Sequence, residues 1–192
     1  GNHAQGVALS GQKLGIRAII VMPKTTPDIK VQAVKRLGGD VVLHGDSFDV
    51  ANKYAIQRAK DEGMTFIPPY DDELVMAGQG TIGNEILRQW RDVDYVFVAV
   101  GGGGLIGGVA AYLGDVAPHV KVIPVEYDES ACLKAAFEAG ERIVLPSVGL
   151  FADGTAVAQI GEKPFEVIQL MKSDNSGPIV ERDVVLVNTD EE

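Results

Sequence analysis

"DYVFVAVGGGGLIGGVAAYL" occupies residues 94–113. An apolar, β-branched run ending at Val100 meets four consecutive glycines, and a small-residue stretch with helical spacing follows. A strand that passes through a glycine turn into a helix presents backbone N–H groups at a helix N-terminus, where an anion, usually a phosphate, is favoured. The same alternation extends outward in both directions. Strands are expected at 16–23, 40–45, 64–72, 94–100, 120–126 and 178–187. Helices are expected at 2–14, 26–39, 47–63, 73–91, 105–114, 129–139 and 162–173. Short β-branched runs separated by helices of this length are βαβ units, so the expected class is α/β, with open parallel sheets and flanking helices.

Local punctuation supports several of these assignments. Thr26 reads as the N-cap of the helix at 26–39, with Pro27 at its first position and Gly38 past its end. Ser47 opens the next helix, whereas "GQG" at 78–80 reads as a break in the one at 73–91. Residues 142–161 read mostly as loop. Both ends look cut: Gly1-Asn2 starts inside a loop-to-helix sequence, and the terminal acids begin an element without finishing it.

Composition excludes several partner classes. The 192 residues suffice for one ordinary domain or two small ones. A formal net charge of −10 disfavours nucleic acid, which needs a Lys/Arg footprint. Tyr95–Gly114 carries no charge and is long enough to span a bilayer. Its seven glycines, its flanking Asp94 and Asp115, and its lack of a basic flank argue against that. No secretory leader pattern opens the chain. Cys132 is the sole cysteine, which rules out an internal disulfide and fits a reducing, cytoplasmic compartment.

Three readings of the glycine turn compete. Gly102-x-Gly104-x-x-Gly107 lies after a strand and before a helix, and Glu126 ends the next strand, where a dinucleotide site places its ribose-binding acid. A second reading is close strand–helix packing alone, against which four glycines in a row weigh by their backbone entropy. The third is a single phosphate seated on the N–H groups of Gly101, Gly102, Gly103, Gly104 and Leu105. A triphosphate-binding loop is ruled out, since no Lys-Ser/Thr follows the glycines.

The rest of the chain chooses among them. "GNHAQGVA" (1–8) together with "VGGGGLIGG" (100–108) resembles pyridoxal-phosphate enzymes of the tryptophan-synthase-β type of fold, fold type II. Within these the likeness is to the threonine dehydratase and serine racemase group. "VMPKTTPDIKVQAVKRLGGDVVLHG" (21–45), "IPPYDD" (67–72), "AGQGTIGNEI" (77–86), "ESACLKAA" (129–136) and "GLFADGTAV" (149–157) match in the same order. "ACLKAA" and "VGLFADGTAV" point most to biosynthetic threonine dehydratase.

The resemblance implies pyridoxal phosphate as cofactor, with its phosphate on Gly101–Gly104 and Leu105. It implies that Asn2 bonds the 3′-oxygen of the cofactor ring, although Asn2 also reads as the N-cap of helix 2–14. It places Gly1, Asn2 and His3 in the loop that receives the substrate carboxylate, with backbone N–H groups mattering more than the imidazole. Glu126 then has two open roles, lining the cofactor ring or capping the loop at 127–130. Gln79 is open between packing and ligand contact. Asp153-Gly154 borders the cofactor in relatives, some of which bind a cation nearby, but no cluster with metal-ligand spacing accompanies it here. His44 and His119 have no partner that the sequence identifies.

The lysine that would form the Schiff base has no matched position, and neither do two serines of the family pattern. The chain is therefore expected to be an internal fragment, with no catalytic residue of its own and no turnover alone. Residues 1–70 are expected to form most of a smaller domain and 71–192 part of a larger one. The parent is expected to dehydrate and deaminate L-threonine to 2-oxobutanoate and ammonia, and to be a homo-oligomer acting on a small amino acid. Serine racemase or serine dehydratase activity is the alternative among enzymes. A non-catalytic amino-acid- or cofactor-binding module, and a nicotinamide-dependent oxidoreductase, are the alternatives outside the group.

Overall fold

The computed structural model describes residues 2–149, 151–172, 177–180 and 184–189. The chain divides into two compact units, Gly1–Ile67 and Pro68–Glu192. The first contains α1 (Asn2–Leu14), β1 (Ile19–Met22), α2 (Asp28–Arg36), β2 (Asp40–Leu43) and α3 (Phe48–Asp61). β1 and β2 pair in parallel, with Ile19 opposite Asp40 and Met22 opposite Leu43. Ala8, Ile20, Met22, Val31 and Val34 form the core between α1, the sheet and α2.

Two local expectations fail in this unit. Pro27, not Thr26, is the N-cap of α2: its carbonyl accepts from Lys30 and Val31, and no side chain caps the helix. The segment 64–72 forms no strand. Pro68 and Pro69 supply no N–H to a ladder, and Asp72 is already committed to the next helix. By contrast Ser47 caps α3 as expected, accepting from the N–H of Val50 at 3.4 Å.

The second unit contains α4 (Glu73–Gln89), β3 (Tyr95–Ala99), α5 (Gly104–Val116), β4 (Lys121–Tyr127), α6 (Cys132–Ala139), α7 (Glu162–Leu170) and β5 (Val185–Val187). The strands pair in parallel in the order β3-β4-β5. The class is thus α/β with two parallel sheets and, among the described residues, seven helices. Of the strand expected at 178–187, residues 181–183 lie outside the described residues; β5 covers Val185–Val187, and Ile179 bridges separately to Val122 and Lys172. Val98, Val100, Ile106, Val109, Leu113 and Val122 lie at the centre of the core.

The helix α4 runs unbroken through Gly78–Gly80, contrary to the sequence reading. A Cβ on Gly80 would lie 3.1 Å from the carbonyl oxygen of Gly108, and one on Gly108 would lie 2.9 Å from the Gly80 nitrogen and strike the Met76 carbonyl. These glycines let α4 and α5 meet backbone to backbone. On the outer strand β3, Tyr95 and Phe97 stay 60% and 64% exposed, an apolar face that no described residue covers.

Candidate functional site

The β3–α5 turn is built by three hydrogen bonds that all end on carbonyls. Val100 still belongs to the sheet, its N–H donating to Val125 at 2.8 Å. After it, the Gly101 carbonyl accepts from the Cys132 thiol at 3.4 Å. The Gly102 carbonyl accepts from the N–H of Gly161 at 3.0 Å, and the Gly103 carbonyl from that of Gly107 at 2.9 Å. Gly103 is the N-cap of α5 at φ +88°, a left-handed conformation that glycine adopts without strain.

The donors of the same stretch behave differently. Among the described residues no acceptor meets the N–H of Gly101, Gly102, Gly103, Gly104 or Leu105. Gly102, Gly103 and Gly104 are nevertheless buried. Buried backbone N–H groups are almost always paired, so a run of them at a helix N-terminus marks a place for an anion. The two observations are linked, because in a trans peptide the carbonyl of one residue and the N–H of the next point in opposite directions. Fixing the carbonyls of Gly101, Gly102 and Gly103 therefore aims the N–H groups of Gly102, Gly103 and Gly104.

Side chains are excluded at all four glycines. A Cβ on Gly101 would approach Thr155 Cα to 3.1 Å, one on Gly102 would enter the Tyr70 ring, one on Gly103 would meet Ile160 at 2.7 Å, and one on Gly104 would meet Tyr70 at 2.9 Å. Close packing thus accounts for the missing side chains, more fully than the sequence suggested. It does not account for a row of donors without acceptors.

The wall behind the turn is held from a distance in sequence. Asp71 accepts from the N–H groups of Glu162 and Lys163 at 3.1 and 2.9 Å, capping α7 and fixing the chain at Gly161. Its neighbour Asp72 caps α4, accepting from Leu74 and Val75 at 2.9 and 3.0 Å. The Arg142 guanidinium donates to the Ile160 carbonyl at 3.0 Å. Sequence reading missed Tyr70, Asp71 and Cys132. For Asp71 and Asp72 the signal is a pair of capping residues ahead of a helix, but only Asp72 serves the helix that follows.

Glu126 settles the dinucleotide reading. Its carboxylate is 1% exposed and accepts from the N–H groups of Leu133 and Lys134, both at 2.8 Å. It caps the start of α6, which is neither of the two roles left open for it, and both its oxygens are taken by backbone N–H groups where a ribose-binding acid would need one of them. Burial pushes its pKa above the usual carboxylate range, against the opposing pull of those two N–H bonds.

The remaining candidates lie elsewhere. Asn2 is exposed in the first turn of α1 and so is not its N-cap; Gly1 lies outside the described residues. The His3 Nε2 lies 3.0 Å from the Ile67 carbonyl within the same unit. His44 stacks on Tyr54 with ring centroids 3.9 Å apart, and His119 is exposed. Among the described residues no three His, Cys, Asp or Glu side chains group as metal ligands, and no helix is long and apolar enough to cross a membrane.

The profile of a family described as pyridoxal-phosphate dependent enzyme matches residues 1–191. The chain belongs to that family. It is 53% identical over 191 residues to the biosynthetic L-threonine dehydratase of Haemophilus influenzae, and 58% over 167 residues to a threonine dehydratase of Nicotiana attenuata. These alignments cover 100% and 87% of the chain but 36% and 28% of the relatives, so the chain spans about a third of their length. Among solved structures, the processed threonine deaminase isoform 2 of Solanum lycopersicum superposes with a TM-score of 0.89 at 48% identity, over 98% of the chain and 49% of that protein. Maize serine racemase superposes with a TM-score of 0.87 at 30% identity, over 98% of the chain and 54% of that protein. The fold is fold type II of the pyridoxal-phosphate enzymes.

The family's cofactor carries a phosphate, and the turn fits one: buried donors without acceptors and no room for competing side chains.

Proposed function

We propose that the glycine turn cradles the phosphate of pyridoxal phosphate, and that the protein dehydrates and deaminates L-threonine to 2-oxobutanoate and ammonia. The observation that carries the first part is the donor row Gly101–Leu105 beside three anchored glycine carbonyls. Pyridoxal phosphate, when bound, supplies an electron sink for the charge left on the substrate Cα as its proton departs. The residues of this chain bind and orient. Gly101, Gly102, Gly103, Gly104 and Leu105 hold the phosphate, assisted by the positive end of the α5 dipole. Asn2 holds the ring oxygen, and Gly1, Asn2 and His3 present N–H groups to the substrate carboxylate.

An identity of 48% to a threonine deaminase, against 30% to a serine racemase of nearly equal TM-score, favours threonine elimination over racemisation. We assign the proton-removing lysine to a part of the protein outside these 192 residues. The domain division at 70/71, a homo-oligomeric state and a cytoplasmic location complete the proposal, the last resting on the single buried thiol of Cys132.

The test is a calorimetric titration of the protein with pyridoxal phosphate, pyridoxal and NADH in phosphate-free buffer, followed by a 2-oxo acid assay of the full-length protein with threonine and serine. Saturable binding of pyridoxal phosphate well above pyridoxal, none of NADH, and threonine-dependent 2-oxobutanoate are expected. Equal binding of pyridoxal and pyridoxal phosphate would overturn the cradle, and serine racemisation without elimination would overturn the reaction.

A further inference from the structure

Of the three bonds that fix the glycine carbonyls, two come from backbone N–H groups and one from a side chain. That side chain is Cys132, the first residue of α6, and its position depends on where α6 starts. The start is fixed by Glu126, whose buried carboxylate takes the N–H groups of Leu133 and Lys134. No residue of α6 offers a side-chain cap, so this carboxylate from β4 replaces one. A continuous line of contacts therefore runs from Glu126 through the first turn of α6 and the Cys132 thiol to the carbonyl of Gly101.

We propose that Cys132 and Glu126 are positioning residues of the phosphate cradle: the thiol holds the Gly101 carbonyl so that the Gly102 N–H faces the phosphate, and Glu126 holds the thiol in place. The inference rests on the cradle reading above. The peptide between Gly101 and Gly102 is one rigid plane, and glycine has no Cβ to bias its rotation. Without the thiol, the Gly101 carbonyl loses the one hydrogen bond it accepts among the described residues, and the Gly102 donor is less firmly aimed. Burial and the nearby Glu126 charge push the thiol up to about 12, so it stays a donor across the working pH range. The thiol acts as a weak hydrogen-bond donor, with no bond to the cofactor and no covalent step.

The test compares affinities for pyridoxal phosphate and pyridoxal in the full-length protein and in its Cys132→Ala, Cys132→Ser and Glu126→Gln variants. Their ratio isolates the phosphate contribution from ring contacts and from overall stability. Loss of one net hydrogen bond predicts that Cys132→Ala lowers the ratio about three- to tenfold. Cys132→Ser, which keeps a donor, should retain most of it. Glu126→Gln offers one acceptor oxygen to two N–H groups and should fall between them. The bound-phosphate phosphorus resonance should move in the same order. If the parent protein discriminates between the two ligands and all folded variants keep its ratio, the positioning role is wrong while the cradle stands. If the parent itself does not discriminate, the cradle fails and this inference fails with it. Glu126→Gln, whose ratio should fall below that of the parent, supplies the decisive comparison should Cys132→Ala not fold.

Discussion

Each unit contains a strand–turn–helix crossover between adjacent parallel strands, β1–α2–β2 in the first and β3–α5–β4 in the second, and these two turns differ in what they do with backbone donors. Between β1 and α2 the linker is Pro23-Lys24-Thr25-Thr26-Pro27. Two of its five residues have no N–H, Lys24 donates to Gly45 at 2.8 Å, and Thr26 donates to Pro23 at 3.1 Å. The N–H groups of Thr25, Asp28 and Ile29 meet no acceptor among the described residues, but all three residues are exposed to solvent. Asp28 then places a negative charge in the first turn of α2. Between β3 and α5 the carbonyls are occupied, the donors are not, and the first turn of the helix carries no acid. Topology alone therefore does not make an anion site, since both crossovers have it. The difference lies in which half of each peptide the protein satisfies internally.

That contrast is broken most severely at Gly102. A methyl group there would enter the Tyr70 ring, and ring atoms surround it too closely for a small shift to relieve the clash. Gly102→Ala should destabilise the fold by about 3 kcal/mol, as overpacked cores do, and should lower pyridoxal phosphate affinity far more than pyridoxal affinity. Thermal unfolding and the same pair of titrations measure both. Undiminished phosphate selectivity in a folded Gly102→Ala protein would separate the packing of the turn from its ligand.

A smaller effect concerns the charge behind the turn. The Glu126 pKa is raised in the folded protein, first by desolvation, with the two N–H bonds and Lys134 pulling the other way. A folded pKa above the unfolded one gives stability that is fully present below the unfolded value, about 4.3, and is lost as pH rises through the folded value. Glu126→Gln removes this titration. The stability of the parent relative to Glu126→Gln should therefore fall as pH is raised from about 4 towards neutrality, by no more than about 1.4 kcal/mol per pH unit. Urea unfolding at a series of pH values reads the difference directly. A rise instead would mean that the N–H bonds outweigh burial.

The alternation of β-branched runs and helices was legible, and so was the turn, because both depend on neighbours in sequence. What failed depended on partners far away. Gly78–Gly80 looked like a helix break because only α5 explains why Gly80 lacks a side chain. Glu126 imitated a ribose-binding acid because its two N–H partners lie seven and eight residues on, past a turn that no periodicity reveals. Asp71 bonds residues 91 and 92 positions away. Cys132 was legible only as the sole cysteine; it is buried, and its thiol meets a carbonyl 31 residues earlier. The ordered motifs identified the family where spacing alone left the phosphate's owner undecided.

The mildest test returns to the turn between β1 and α2. Asp28 is exposed at the start of α2, where a negative charge interacts favourably with the helix dipole. Asp28→Asn should cost about 0.5 kcal/mol at low salt, and less as salt is added. It also removes the one acid from the first turn of α2. If the absence of an acid were what qualifies a crossover for phosphate, this variant would acquire measurable affinity for inorganic phosphate. The expected result is none, because Pro23 and Pro27 still lack N–H groups, Lys24 and Thr26 still have acceptors, and the remaining donors of Thr25, Asp28 and Ile29 belong to residues exposed to water. Unoccupied donors that are buried, and not a favourable charge balance, are then what separates the second crossover from the first.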